Sequence, residues 1–162
     1  MYRTFLAAIA IVFTSLALSA CADPTEVPAQ SPSLTTYKSA TCGCCKLWVD
    51  HAQKTGFDVV AKDVDDLNSI KKQYGIEPRY QSCHTSVSRE GYVFEGHVPA
   101  KLVHSFLKNP PKGAMGLAVP GMPLGSPGME VGDRFTPYQV MQLNKDGSSV
   151  VYAEVNSAGE QF

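Results

Sequence analysis

Four cysteines of the chain are suited to act together. Cys42, Cys44 and Cys45 stand within four residues, and a fourth, Cys83, is followed directly by His84. Thiolate sulfur is a polarizable donor that selects thiophilic ions such as Cu(I) over hard cations. Closely spaced thiols are equally suited to disulfide exchange. The spacing therefore indicates either a copper site or a dithiol redox centre, and the cysteines alone leave both open.

Structural disulfides are a third interpretation of these cysteines. Outside the cytoplasm, four cysteines can form two bridges. A bridge between the neighbours Cys44 and Cys45 would strain the chain, however, and only Cys83 lies outside the cluster. No unstrained pair of bridges is evident, so the clustering favours a metal or redox site over structural disulfides.

Further soft ligands lie in the segment 113–132, which holds six glycines, three prolines and the methionines Met115, Met122 and Met129. The prolines exclude a continuous helix there, and a long ordered loop in a compact domain is usually functional. Thioether sulfur binds Cu(I) without losing a proton. Met122 and Met129 are therefore candidate ligands, with gap-filling in the core as the alternative for each.

Two histidines are also candidate ligands. His84 adjoins Cys83, and His97 lies at the end of a predicted hairpin. A packing role in a loop or at a strand end is the alternative for both. His51 and His104 fall on predicted helix faces, where we do not expect them to contact a metal ion.

The first twenty residues are typical of a signal peptide, because Arg3 precedes an apolar run over 5–18 that is too short to span a membrane comfortably. The run ends in LSAC, which resembles a lipobox and predicts lipidation of Cys21. An ordinary secretory signal cleaved nearby is the alternative. Ala22, which follows the cysteine, favours sorting to the outer membrane.

The sequence predicts three segments: a lipoprotein signal peptide over 1–20, a flexible tether over 21–33 and one domain over 34–156. The expected location is the periplasm. The net charge of −1 argues against nucleic acid or an anionic membrane surface as a partner. The lipid anchor would therefore be the protein's only contact with the membrane.

The domain is predicted to be α/β. Strands are expected at 34–38, 57–61, 85–88 and 92–95, and helices at 44–54 and 99–107. A further helix is expected to run through Tyr74, with Asp65 or Asp66 as its N-cap. This βαβαββα order resembles the thioredoxin fold, and the cysteine cluster falls where thioredoxins carry their C-x-x-C. The resemblance places His84 at the position of the thioredoxin cis-proline, and it implies that Cys83 and His84 face the cluster. A hairpin formed by 135–144 and 148–156 follows the methionine-containing loop.

The span 34–152 resembles the CopG-type periplasmic copper-resistance proteins, a thioredoxin-like family long filed as a domain of unknown function. Four blocks carry the resemblance in order: CGCCKLW from 42, SCHT from 82, GYVFEGHVP from 91, and GLAVPGMP from 116 with GSPGME from 125. The resemblance implies a thioredoxin-like domain with an added Met/Gly/Pro-rich loop and a C-terminal β-hairpin. It also implies several copper ions bound in a cysteine-bridged cluster.

We therefore expect a periplasmic copper-binding protein of copper resistance or homeostasis, with a multinuclear cluster able to cycle between Cu(I) and Cu(II). The expected ligands are Cys42, Cys44, Cys45, Cys83, His84, His97, Met122 and Met129. Such a protein binds metal rather than transforming an organic substrate, and no hydrolase or kinase motif is present.

Two other functions stay open. The first is a thiol–disulfide oxidoreductase of the cell envelope, against which the missing cis-proline argues. The second is a copper chaperone that passes its ions to an efflux system, so that a copper-efflux or chaperone protein would be its partner.

Overall fold

The computed structural model describes residues 31–162. The predicted signal peptide, Cys21 and most of the predicted tether therefore lie outside the described residues. Within 31–162 the chain is a mixed α/β fold with three α-helices and seven β-strands. They run in the order β1 (Ser33–Lys38), α1 (Gly43–Lys54), β2 (Asp58–Asp63), α2 (Leu67–Gln73), β3 (His84–Ser88), β4 (Val93–Glu95), α3 (Ala100–Lys108), β5 (Ala114–Ala118), β6 (Tyr138–Asn144) and β7 (Ser149–Val155). None of the helices in this range is both long and apolar enough to cross a lipid bilayer.

The seven strands form one mixed sheet in the order β2-β1-β3-β4-β5-β6-β7. The pairs β1–β2 and β4–β5 are parallel, and the other neighbouring strands are antiparallel. Helix α1 connects the parallel strands β1 and β2, as such a pair requires. Because β1 and β3 are antiparallel, with Lys38 opposite His84, the loop between β1 and α1 and the loop that enters β3 lie at the same end of adjacent strands.

The main core lies between the sheet and helices α1 and α3. Trp48 of α1 and Phe106 of α3 are fully buried and belong to the same apolar cluster as Phe94 of β4. The Trp48 indole N–H donates to the Val98 carbonyl at 2.9 Å, so its only polar group is satisfied. Helix α1 is thereby held against the end of β4, and this contact fixes the helix that carries three of the cysteines.

Local capping explains the helix boundaries. Helix α1 begins after Cys42, whose Sγ accepts from the Cys45 amide at 3.3 Å, and α2 begins after Asp66, which accepts from the Ser69 amide. Helix α3 begins after Pro99 rather than at it. All three predicted helices are present, each within one or two residues of its expected bounds.

One predicted loop begins with a strand. The segment 113–132 was expected to be a loop throughout, yet Ala114–Ala118 forms β5 and pairs with β4 and β6. A glycine at position 116 disfavours a strand by its own propensity. Strand β5 nevertheless requires it, because a Cβ there would overlap the Val93 carbonyl of β4. The methionine-containing loop proper therefore starts after Ala118.

The chain continues past the predicted domain end at 156. A 3-10 turn, Ala158–Gln161, follows β7. The buried Gln161 side chain accepts from the Tyr138 hydroxyl at 2.6 Å and donates to the Gly125 carbonyl at 2.9 Å. The C-terminal turn therefore packs against the methionine-containing loop.

Candidate metal centre

Three of the cysteines lie at the amino end of α1. Cys42 is the N-cap residue, and a disulfide joins it to Cys45, three residues later. Cys44 is a free thiol with its Sγ 3.5 Å from that of Cys42. Helix geometry accounts for the meeting of Cys42 and Cys45, because residues three apart in sequence share one face of the helix.

Cys83 joins the three from a distant part of the sequence. It is a free thiol immediately before β3, and its Sγ lies 3.9 Å from that of Cys44. The sulfur atoms of Cys42, Cys44, Cys45 and Cys83 all lie within 4.8 Å of one another. The structure therefore brings together all four cysteines of the predicted cluster.

Cys83 also belongs to a second donor group. Its Sγ lies 3.0 Å from His97 Nε2 and 3.4 Å from His84 Nδ1, and the three donor atoms lie within 4.8 Å of one another. His84 opens β3, and His97 follows the end of β4. The two groups, one of four sulfurs and one of a sulfur with two imidazoles, share the Cys83 sulfur.

A main-chain contact orients His97 for coordination. Its Nδ1 lies 2.7 Å from the Pro127 carbonyl, which only accepts, so Nδ1 carries the proton. In the neutral ring Nε2 then holds a lone pair, and this atom faces Cys83. Burial lowers the pKa of His97 and favours the neutral ring. A carbonyl partner of this kind is the usual support for a metal-binding histidine.

His84 is fully buried and stacks at a tilt against Trp48, with ring centroids 4.7 Å apart. Burial lowers its pKa well below the ordinary value, so its ring is neutral. Its Nε2 has no hydrogen-bond partner among residues 31–162. An unpaired buried nitrogen costs about 1–3 kcal/mol, and the other ring nitrogen, Nδ1, is the one that faces Cys83.

Burial, with a smaller contribution from neighbouring Cys44, raises the pKa of Cys83 to about 12. Without metal, this sulfur is therefore a thiol at neutral pH. Metal ions bind the thiolate, so an ion entering either donor group must displace the Cys83 proton.

The methionine-containing loop contacts both cysteine segments. The Gly121 amide donates to the Gln81 carbonyl at 3.1 Å, and the Ser82 hydroxyl donates to the Gly121 carbonyl. Further along, Gly128 lies against α1 so closely that a Cβ would be 2.6 Å from the Cys44 carbonyl oxygen. The loop therefore covers the candidate site and supplies the Pro127 carbonyl.

The predicted methionine ligands differ in exposure. Met122 follows the anchored Gly121 and is 53% exposed, so it does not fill a gap in the core. Met129 is half-buried beside the segment that contacts α1, and Met115 lies within β5. Met122 is thus solvent-exposed, one residue after the glycine that bonds to Gln81 and Ser82.

His51 and His104 have structural partners. His51 is buried and its Nε2 accepts from the Ala100 amide at 3.1 Å, at the start of α3. His104 donates to the Thr55 carbonyl at 2.9 Å and stacks on Phe57. Neither belongs to a donor group.

Two features of the site were missed from the sequence. One is the Pro127 carbonyl, for which no residue type gives a signal. The other is a buried ion pair between Lys71 and Glu95, which lies behind the Cys83–His84 segment. The sequence does carry a signal for the pair, since Glu95 is a single acidic residue at the end of the apolar run YVF.

Fold and site together define a mixed α/β protein with a cysteine- and histidine-rich candidate metal centre at the end of its sheet. Residues 80–129 match the family model "Protein of unknown function, DUF411". No curated protein matches the chain significantly.

Two solved structures match across the described domain. "Copper resistance protein copG- Form 1" is 39% identical with a TM-score of 0.73, and "Copper resistance protein copG- Form 2" is 40% identical with a TM-score of 0.74. Each match covers 78% of this chain and 99% of the other. The chain belongs to the CopG copper-resistance protein family.

Proposed function

We propose that this protein binds several copper ions in a cysteine-bridged cluster and serves in copper resistance or homeostasis. The observation that carries the proposal is that the Cys83 sulfur belongs to both donor groups. A thiolate can bridge two ions, so a sulfur common to two groups supports a multinuclear site. Membership of a family whose solved members are described as copper-resistance proteins supports copper as the metal.

The donor set favours copper on chemical grounds as well. The two groups contain four sulfurs and two imidazole nitrogens and include no carboxylate. Sulfur donors select Cu(I), imidazole suits copper in both oxidation states, and carboxylate-rich sites suit Mg²⁺, Ca²⁺ or Mn²⁺ instead. We infer that the four-sulfur group holds Cu(I) and that the group with His84 and His97 also accepts Cu(II). Cycling between the two states would exchange one electron per copper ion with an external redox partner.

The Cys42–Cys45 disulfide must be reduced before those two sulfurs can bind metal. An external dithiol would supply the two electrons and two protons and become a disulfide itself, and the two thiols formed here lose their protons when copper binds. The position of His84 Nδ1, 3.4 Å from Cys83 Sγ, supports its role as a ligand in the loaded protein. We keep Met122 and Met129 as proposed additional ligands, because the loop that carries them covers the site.

Further parts of the proposal concern fold class and location. We propose that the domain is thioredoxin-like, supported by the β2-β1-β3-β4 strand order and by the cysteines at the start of α1. We also propose a periplasmic protein lipidated on Cys21 and carried by the outer membrane, supported by the LSAC sequence. A copper-efflux protein or chaperone would exchange ions with it.

A thiol–disulfide oxidoreductase is the second candidate function. Its supporting observation is the disulfide between Cys42 and Cys45, which have C-x-x-C spacing at a helix N-terminus. Such a position lowers thiol pKa values and promotes disulfide exchange. Cys83–His84 lies where the substrate-positioning proline of such enzymes would be, which favours metal binding as the first proposal.

One experiment tests both candidates. The purified protein is reduced anaerobically and titrated with Cu(I) against a chromophoric chelator, while free thiols are counted in parallel. We expect more than one tightly bound copper per chain, with the thiols protected from alkylation. A protein that takes up no Cu(I) and shows a reversible dithiol potential would overturn the copper proposal in favour of the oxidoreductase.

A further inference from the structure

An ion pair lies buried behind the candidate metal centre. Lys71 Nζ is 2.5 Å from Glu95 Oε1, and the two side chains are 4% and 0% exposed. Lys71 is the only fully buried residue of α2, whose other side chains are half-buried or exposed. A buried ion pair is often no more stabilising than an apolar pair of similar volume. Its presence here therefore suggests a role other than stability.

The Glu95 carboxylate accepts hydrogen bonds from the residues on both sides of the Cys83–His84 segment. Oε1 accepts from the Ser82 amide at 2.6 Å, and Oε2 accepts from the Thr85 hydroxyl at 2.6 Å. Ser82 precedes Cys83, and Thr85 follows His84. One side chain thus holds both residues that flank the shared sulfur and its neighbouring imidazole.

The donors around Glu95 match a charged carboxylate. Its three partners are the Ser82 amide, the Lys71 ammonium and the Thr85 hydroxyl, which itself accepts from Lys71 at 3.2 Å. A carboxylate accepts at both oxygens, whereas a protonated carboxyl must donate at one of them. Lys71 supplies the opposite charge that allows a carboxylate to be buried.

The main chain next to Glu95 also contacts the Ser82–His84 segment. The Gly96 amide donates to the His84 carbonyl at 3.0 Å. Gly96 has a φ of +72°, and a Cβ there would lie 2.5 Å from Ser82 Cβ. The end of β4 is therefore pressed directly against the Ser82–Cys83 segment, and His97 reaches Cys83 from the next residue along.

We propose that Glu95, charge-balanced by Lys71, is a positioning residue that fixes Cys83 and His84 in the geometry that binds copper. The inference rests on the proposed copper function. Glu95 is not itself a proposed ligand. It acts on the ligands through the Ser82 amide and the Thr85 hydroxyl. Ordered partners behind the ligands typically contribute about 10- to 100-fold to metal affinity.

Two double variants separate positioning from mere stability. K71M/E95Q removes both charges, but the side-chain amide that it introduces can still accept from the Ser82 amide through its oxygen and donate to Thr85 through its NH₂. K71M/E95L removes the charges and the acceptor together. Both full-length proteins are checked by thermal melting and near-ultraviolet circular dichroism of Trp48. Their Cu(I) affinities are then measured by chelator competition.

We expect K71M/E95Q to bind Cu(I) close to the wild-type affinity and K71M/E95L to bind it about 10- to 100-fold more weakly. Equal affinities in two folded variants would overturn the proposal, since a purely structural role would lower the melting temperature without separating the affinities. Failure of the wild-type protein to bind copper would instead refute the proposed function.

A measurement on the metal-free wild-type protein is independent of whether the variants fold. The Ser82 amide hydrogen should exchange with solvent as slowly as the paired amides of β3 and β4, although Ser82 lies in a loop. Exchange at the rate of an exposed loop amide would overturn the proposal without any reference to copper.

Discussion

Substitution of Gly128 by alanine should weaken copper binding through a contact that does not involve a ligand side chain. Gly128 has a φ of +87°, and a Cβ at this position would lie 2.6 Å from the Cys44 carbonyl oxygen and 2.8 Å from the Trp48 amide nitrogen. Both neighbours are main-chain atoms of α1, whose position is fixed by the buried Trp48. The methionine-containing loop must therefore move away from the helix.

The size of the movement follows from the same distances. Ordinary contact begins at 3.4 Å, so relief of the 2.6 Å overlap requires a shift of about 0.8 Å. The adjacent Pro127 carbonyl accepts from His97 Nδ1 at 2.7 Å, and the same shift would lengthen this bond to about 3.5 Å, beyond useful hydrogen bonding. His97 would then lose the partner that fixes its tautomer, at a cost of about 10- to 100-fold in copper affinity.

Gly132→Ala is the matched control. Gly132 lies in the same loop with a φ of +56°, but a Cβ there meets nothing within 4 Å. Both substitutions incur about 1–2 kcal/mol of backbone strain, whereas only Gly128→Ala displaces the Pro127 carbonyl. Thermal melting measures the shared strain, and Cu(I) competition with a chelator measures the affinity. If the two variants bind copper equally well, the reasoning about Pro127 and His97 is wrong.

Three further outcomes test the site. Cys83→Ser should lose more copper per chain by elemental analysis than Cys44→Ser, because only Cys83 contributes to both donor groups; equal losses would contradict a bridging role. Since the pKa of Cys83 is raised to about 12, Cu(I) must displace its proton, and the apparent affinity should rise about tenfold per pH unit between pH 6 and 8 for each thiol proton released. A pH-independent affinity in chelator competition would refute that assignment. Met122→Leu should weaken Cu(I) binding in the same assay, whereas Met141→Leu, on strand β6, should not; equal affinities would remove Met122 from the ligand set.

Much of the secondary structure was predictable because its causes are local. The apolar spacing after Cys44 and the N-capping aspartate before α2 are short-range signals, and the helices lie close to where these signals place them. Strand β5 was missed for the opposite reason. Gly116 disfavours a strand by its own propensity, and the close approach of β4 that requires a glycine there is a long-range contact.

The donor types and the local cluster were also predictable from the sequence. Cys42 and Cys45 meet because residues three apart share one face of a helical turn, and Cys44 lies between them in sequence with its Sγ 3.5 Å from that of Cys42. The approach of Cys83 could be expected only through a resemblance to a known fold. Nothing local connects residues that are 39 positions apart in sequence.

The sequence by itself determined the chemistry of this protein: soft sulfur donors, imidazoles beside them and a glycine-rich segment to cover them. Only the tertiary structure decided their geometry. It makes Cys83 the sulfur shared by two donor groups, places the Pro127 carbonyl on His97, and puts the Lys71–Glu95 pair behind the site. The physical reason is that main-chain carbonyls and buried charges act through distance and direction. Both are set by how the sheet, α2 and the loop pack, and residue type does not encode them.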